Sequence, residues 1–201
     1  MIRFFDVVFS FIGIALLSPL FVVLYIAICL ESKGGGIYSQ TRVGKEGRDF
    51  KLFKFRSMRI GSDKKGLITV GGRDPRVTKD SRVTRVGYFL RKYKLDELPQ
   101  LLNVVRGEMS LVGPRPEVRK YVDMYTVEQR KVLAVAPGIT DYASIEYVDE
   151  NVILGQAEDP EKAYIETILP DKIRYNMKYI NHQCPQEYFK IIFLTLYHII
   201  K

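Results

Sequence analysis

From Val7 to Leu30 the chain carries no charged residue, and these roughly 24 positions would make a helix of about 36 Å, against a bilayer hydrocarbon core of about 30 Å. The pattern predicts a membrane segment. The run is too long for a cleavable signal peptide, and Glu31-Ser32-Lys33 after it offers no small-x-small cleavage site. Ser18-Pro19 falls in its middle, where proline withholds one backbone N–H and clashes with the carbonyl four residues back. Two outcomes follow: a kinked span, or a re-entrant hairpin that turns at Ser18-Pro19 and returns to the face it entered. Hydropathy alone slightly favours the span. Ser32-Lys33-Gly34-Gly35-Gly36 then reads as a flexible exit, dividing the chain into a membrane segment, 1–31, and a membrane-associated body, 32–201.

Beyond that exit, Phe50 to Arg56 alternates apolar and basic residues, and Gly44-Lys45-Glu46-Gly47 before it reads as a turn, so a small β-hairpin with one basic face is expected. Arg59 to Arg73 lacks any apolar period and is expected to be a mobile surface loop, followed by a near-repeat from Asp74 to Arg85 too short for a solenoid. Val86, Phe89, Leu90 and Tyr93 form a helical stripe, and Leu98, Leu101, Leu102 and Val105 form another that stops at Gly107. A long helix is expected from about Glu117 to Val135, with Pro137-Gly138 as its stop. Segments of about 160–182 and 186–200 are again helical; the last is strongly apolar but too short to span, so it packs in the core or lies in the interface plane. The fold class is α+β, mainly helical.

Composition narrows the class. The length, 201 residues, suits one domain without disulfide staples, and the formal charge of +8 fits nucleic acid, an anionic membrane or a phosphorylated substrate. The membrane segment chooses among these, against nucleic acid. Cys29 and Cys184 are far apart in the chain, and neither they nor His182 and His198 have metal-ligand spacing.

The candidate chemistry lies at Lys94-Leu95-Asp96-Glu97-Leu98-Pro99-Gln100. Two adjacent carboxylates precede an apolar helical period, so they would occupy the first turn, where unpaired N–H groups favour negative charge. Arg85, Arg91, Lys92 and Lys94 come before them and Arg115 after, on the stiff turn Gly113-Pro114-Arg115-Pro116, an arrangement suited to holding a phosphate beside a carboxylate. The plainer reading is that Asp96 only caps the helix. Pro99 has no N–H to give such a cap, which would therefore be partial.

Residues 94–116, KLDELPQLLNVVRGEMSLVGPRP, resemble the signature of the bacterial sugar transferases that are small monotopic phosphoglycosyl transferases. Tyr38 to Met58 resembles the family's block before the catalytic helix, and Pro137-Gly138-Ile139-Thr140 its downstream element, so the likeness runs over about residues 1–140. It departs at Asp141, where the family usually has Gly, an aromatic and an Ala-Gln-Val-Asn-Gly-Arg-like stretch.

The resemblance implies transfer of a phospho-sugar from a UDP-sugar to a polyprenol phosphate such as undecaprenyl phosphate, releasing UMP, as the first membrane step of glycoconjugate assembly. Asp96 would be the nucleophile that carries the phosphosugar, with Glu97 handling Mg²⁺ or a proton; Asp96 and Glu97 would be the metal ligands. Arg91, Arg115, Lys54 and Arg56 become candidates for phosphate contacts, and Pro114 and Pro116 would fix a nucleotide-binding turn. The resemblance also favours the re-entrant topology at Ser18 and Pro19, which puts Arg3 and the basic body on the cytoplasmic face of the bacterial inner membrane. Partners are then the UDP-sugar, the polyprenol phosphate and the bilayer, and a homodimer is compatible with the periodicity without being specified by it. Two other readings stand beside this one: a glycosyltransferase that moves sugar without phosphate, although no Asp-x-Asp occurs, and a non-catalytic basic membrane anchor that binds lipid.

Overall fold

A computed structural model describes residues 1–62, 80–147 and 150–200. Most of the expected surface loop (63–73) and the first copy of the near-repeat (74–79) lie outside the described residues.

The uncharged run forms one helix, α1 (Ile2–Glu31), with no non-helical residue at Ser18-Pro19. Local chemistry accounts for the continuity. Proline at 19 leaves the Ala15 carbonyl without its helical donor, and the Ser18 hydroxyl donates to that carbonyl at 2.8 Å.

Both ends of α1 are fastened to the same body. Near its start, Arg3 donates to the carbonyls of Val104 (2.6 Å) and Val105 (3.0 Å), satisfying the C-terminal end of α3 (Gln100–Arg106). One turn on, the buried Asp6 accepts from the Ser110 hydroxyl, the Leu111 N–H and the Tyr188 hydroxyl, each at 2.9 Å. Near its end, Leu24 and Ile28 pack with Phe55 and Leu90, and the Phe21 ring meets Phe55 edge-on at 5.3 Å. Phe4, Phe11, Leu16, Val22, Val23 and Leu30 face outwards.

The hairpin forms as the alternation requires: β1 (Ile37–Val43) pairs antiparallel with β2 (Asp49–Phe55), and Tyr38 stands opposite Lys54. Asn103 fastens β2 to α3. Fully buried, it donates to the Lys51 carbonyl at 2.7 Å and accepts from the Phe53 N–H at 3.0 Å, which fixes the strand on either side of Leu52, just before Lys54.

A second sheet escaped the sequence reading. The three-residue strands β3 (Ser110–Val112) and β4 (Gly138–Thr140) pair in parallel, and the Gly113 N–H donates to Thr140 at 3.0 Å and the Gly138 N–H to Pro114 at 2.9 Å. The approach demands glycine: a Cβ on Gly138 would sit 2.1 Å from the Gly113 nitrogen.

The long helix expected over 117–135 is not one helix. It is a single turn, α4 (Arg119–Val122), then a 3-10 segment (Gln129–Ala134). Thr126 and Gln129 cap the restart reciprocally, the Thr126 N–H donating to the Gln129 side chain at 2.9 Å and the Gln129 N–H to the Thr126 hydroxyl at 3.2 Å. Tyr121, Val122 and Tyr125 still reach the core, so apolar spacing alone suggested an unbroken helix.

After α2 (Arg85–Lys92), already implied by its stripe, the remaining helices are α5 (Tyr142–Glu146), α6 (Glu150–Gln156), α7 (Pro160–Ala163), α8 (Leu169–Asn181) and α9 (Pro185–Ile200), with a π turn joining α7 to α8. In α9, Tyr188 and Ile191 are buried and Phe189 lies against the Phe5 ring at 5.1 Å, while Phe193, Leu196 and Tyr197 are exposed. One face of the helix packs in the core, and the other is left apolar and open.

The Gly113–Gly138 contact makes a test. Gly138→Ala should destabilise the protein by about 1–3 kcal/mol as the two loops are forced apart, and should depress activity more than stability. Gly35→Ala, where a Cβ meets nothing within 4 Å, should leave the thermal midpoint in detergent unchanged.

Candidate active site

Asp96 and Glu97 sit on a one-turn 3-10 segment, Leu95–Glu97, between α2 and α3, and both are buried. Lys94, at a left-handed φ of 57°, turns the chain into it. Helix α3 starts only at Gln100, with Pro99 at its N-cap position and no side-chain cap. Asp96 therefore does not cap the helix, which corrects the plainer sequence reading.

Glu97 is the charge centre. Its Oε1 receives Arg115 Nη2 at 2.6 Å and Lys54 Nζ at 3.0 Å, joining the turn before α3, the loop after β3 and strand β2. Burial pushes the Glu97 carboxyl up, but Arg115, then Lys54 and Lys94, outweigh it and hold the group well below the usual carboxylate range. Glu97 in turn raises the Arg115 guanidinium above its ordinary value despite burial. Burial lowers Lys54, and Glu97 opposes that shift. Glu97 is thus an anion that holds two cations in place.

Asp96 differs from its neighbour. Its carboxylate makes no hydrogen bond or ion pair among the described residues, although Arg91 and Lys54 both feel its charge. A buried carboxylate flanked by cations but tied to none is available to react or to bind a ligand.

The other expected site residues divide. Arg91 is brought close: it donates from Nε to the Ser57 hydroxyl at 3.1 Å, beside Asp96. Lys54 and Arg115 are in the cluster itself. Pro114 and Pro116 flank Arg115, their carbonyls accepting from Gly138 and from Arg42 (3.2 Å). Arg56 is not brought to the acid pair; it donates to the carbonyls of Ser32 (2.8 Å), Lys33 and Gly34, tying the end of α1 to β2.

Two further residues position the site. Asp141 accepts from the Arg115 N–H at 3.1 Å and from the Ser144 N–H at 2.6 Å, capping α5 while fixing the arginine's backbone. Asp141 is where the resemblance departs, so the departure itself was the only signal. Asn103 lies off the stripe Leu98, Leu101, Leu102, Val105, on the face of α3 that the structure buries with Gln100 and Val104, so the apolar periodicity passes over it.

The bacterial sugar transferase model matches residues 1–201. The chain belongs to that family. Similar proteins include a Bacillus subtilis candidate undecaprenyl-phosphate N-acetylgalactosaminyl 1-phosphate transferase, 46% identical over 63% of this chain and 67% of its own length. An Aeromonas hydrophila UDP-N-acetylgalactosamine-undecaprenyl-phosphate N-acetylgalactosaminephosphotransferase is 39% identical over 88% of this chain. An Escherichia coli UDP-glucose:undecaprenyl-phosphate glucose-1-phosphate transferase is 35% identical over 96%. The chain spans two thirds of the first relative's length (67%) and 38% of each of the other two.

As a bacterial sugar transferase, the chain offers a metal only a sparse donor set. Among the described residues no three His, Cys, Asp or Glu side chains cluster. Asp96 with Glu97 Oε2 remains, and two carboxylates suit Mg²⁺, which keeps waters and takes substrate phosphate oxygens for its other positions.

The depressed Glu97 carboxyl sets a pH dependence. Its stabilising effect should be complete above about pH 5 and be lost as pH falls through the folded-state value, which lies below the ordinary one of about 4.3. Glu97→Gln should flatten that acid limb and lower stability at neutral pH by on the order of 2 kcal/mol, discounted because Arg115 is about a third exposed. Thermal midpoints against pH in detergent check both.

Proposed function

We propose that the protein transfers a sugar phosphate from a UDP-sugar to a polyprenol phosphate, the undecaprenyl phosphate of its relatives' names, at a membrane surface. The observation that carries the reading is the division of labour between adjacent carboxylates, with Glu97 committed to Arg115 and Lys54 and Asp96 uncommitted.

An Asp96 oxygen attacks the phosphorus that bears the sugar. The bond from that phosphorus to the bridging oxygen breaks, its electron pair leaves with UMP, and a phosphosugar stays on the carboxylate. A lipid phosphate oxygen then attacks the same phosphorus, the bond to Asp96 breaks, and the carboxylate is regenerated with the lipid diphosphate sugar. Arg115 and Lys54, held by Glu97, and Arg91, beside Asp96, meet charge that builds on the phosphate oxygens. Mg²⁺ held by Asp96 and Glu97 would supply further neutralisation of the diphosphate.

The topology proposed is monotopic, with α1 entering and leaving the same, cytoplasmic, leaflet. Supporting it, Arg3 and Asp6 at one end of α1 and Leu24 and Ile28 at the other all pack on one body. A straight crossing would pull one of those ends away from that body.

With a suitable UDP-sugar, Mg²⁺ and no lipid acceptor, the protein should release up to one equivalent of UMP per active site. Asp96→Asn should abolish this burst. Arg115→Lys should cut it at least ten-fold, since an ammonium cannot replace a guanidinium fork. Release of UDP instead would identify transfer of sugar alone. A requirement for lipid phosphate before any UMP appears would exclude the covalent route.

A further inference from the structure

Arg42 commits most of its guanidinium to a neutral amide. It follows Gln40 by two positions on β1; its Nε and Nη2 donate to Gln40 Oε1 at 3.1 and 2.8 Å, and its Nη1 donates to the Pro116 carbonyl at 3.2 Å. A guanidinium has donors only, so the amide atom that it meets twice must be the oxygen, which fixes the orientation of the group. The Gln40 Nε2, with two N–H groups, is thereby turned away from Arg42. It donates to no group among the described residues and is not sealed off by them.

The hairpin register sets this amide beside the acid-pair cluster. Tyr38, Gln40 and Arg42 share one face of β1, and Tyr38 stands opposite Lys54 and Gln40 opposite Leu52, so Gln40 is a diagonal neighbour of Lys54 on the face from which Lys54 reaches Glu97. At the end of β1 the Val43 N–H donates to the Glu117 carbonyl at 2.9 Å, which holds the strand against the loop that carries Arg115. Lys54 feels the charge of both Arg115 and Arg42. A carboxylate at position 40 would satisfy Arg42 better, as an ion pair on a matching fork. It would also turn negative charge towards any phosphate held by Lys54 and Arg115, whereas the amide presents donors there.

We infer that the Gln40 amide donates to a phosphate oxygen of a substrate, with Arg42 as the positioning residue that aims it; the inference rests on the sugar-phosphate transfer reading above and adds a neutral donor to that site's cations. The oxygen belongs either to the diphosphate of the nucleotide sugar or to the phosphate of the lipid acceptor, and binding of each is measurable by itself.

Two variants of the full chain in detergent separate this contact from the alternatives. Gln40→Glu keeps the shape and the bond to Arg42 but removes both donors and adds a charge; Gln40→Met removes the donors and the bond to Arg42 without adding a charge. Calorimetric titrations with UDP and Mg²⁺, and separately with a short-chain polyprenyl phosphate, should show one of these ligands bound about ten-fold more weakly by both variants, the loss expected for a hydrogen bond to a charged group. Weakening of UDP assigns the amide to the donor's diphosphate, and weakening of the polyprenyl phosphate assigns it to the acceptor. The thermal midpoint of Gln40→Glu should equal or exceed that of wild type; Gln40→Leu replaces Gln40→Met should the latter not fold. A loss in Gln40→Met alone would mean that Gln40 only anchors Arg42, and a loss in Gln40→Glu alone would mean charge repulsion without contact; either overturns the inference. Unchanged affinity for both ligands with a raised KM for the UDP-sugar overturns it too, and makes Gln40 a sugar contact. Because binding is read without turnover, the result decides the contact even if no UDP-sugar yields UMP and the proposed reaction fails.

Discussion

A single buried anion, Glu97, depends for its charge on two cations delivered by other parts of the chain, and much of the architecture consists of the means of delivering them. Lys54 arrives on β2, whose position is fixed by Asn103 of α3. Arg115 arrives on a loop fixed by the Gly113–Gly138 approach and by Asp141. Removing either cation would leave Glu97 half-compensated, and removing both would leave a bare charge in a buried place, which costs more than a surface pair ever returns. The cluster also leaves Asp96, one residue away, without a hydrogen-bond or ion-pair partner among the described residues.

The same elements that hold the cluster hold the membrane helix. Arg3 binds the end of α3, whose start follows the acid pair, and Asp6 binds β3, which leads to the Arg115 loop. Leu24 and Ile28 pack on Phe55, the residue that follows Lys54 on β2 by one position. Any lipid that α1 meets is therefore placed at a set height relative to Asp96. The distance between α1 and the acid pair is built into these side-chain contacts.

Several features were legible because they are periodic. The uncharged run, the alternation from Phe50 to Arg56 and the stripe from Leu98 to Val105 each gave an element where the period said it would be, and the acid pair with its flanking cations marked the site. What stayed hidden depends on single polar groups meeting across long stretches of chain. The Thr126–Gln129 cap splits an apolar pattern that reads as continuous. Arg56, the basic residue just after β2, resembles Lys54 in sequence, but its guanidinium is spent on the carbonyls after α1. β3 and β4 are three residues each, too short to show a period, and their pairing rests on two glycines whose meeting no local rule announces.

The central claim is that two neighbouring carboxylates have different tasks, Asp96 bonding to phosphorus and Glu97 only holding cations. Fragmentation mass spectrometry of enzyme quenched after mixing with a UDP-sugar, with backbone cleavage between residues 96 and 97, tests this directly. The account predicts a phosphosugar mass on the fragment that ends at Asp96 and none on the fragment that begins at Glu97. A phosphosugar on Glu97 would contradict it.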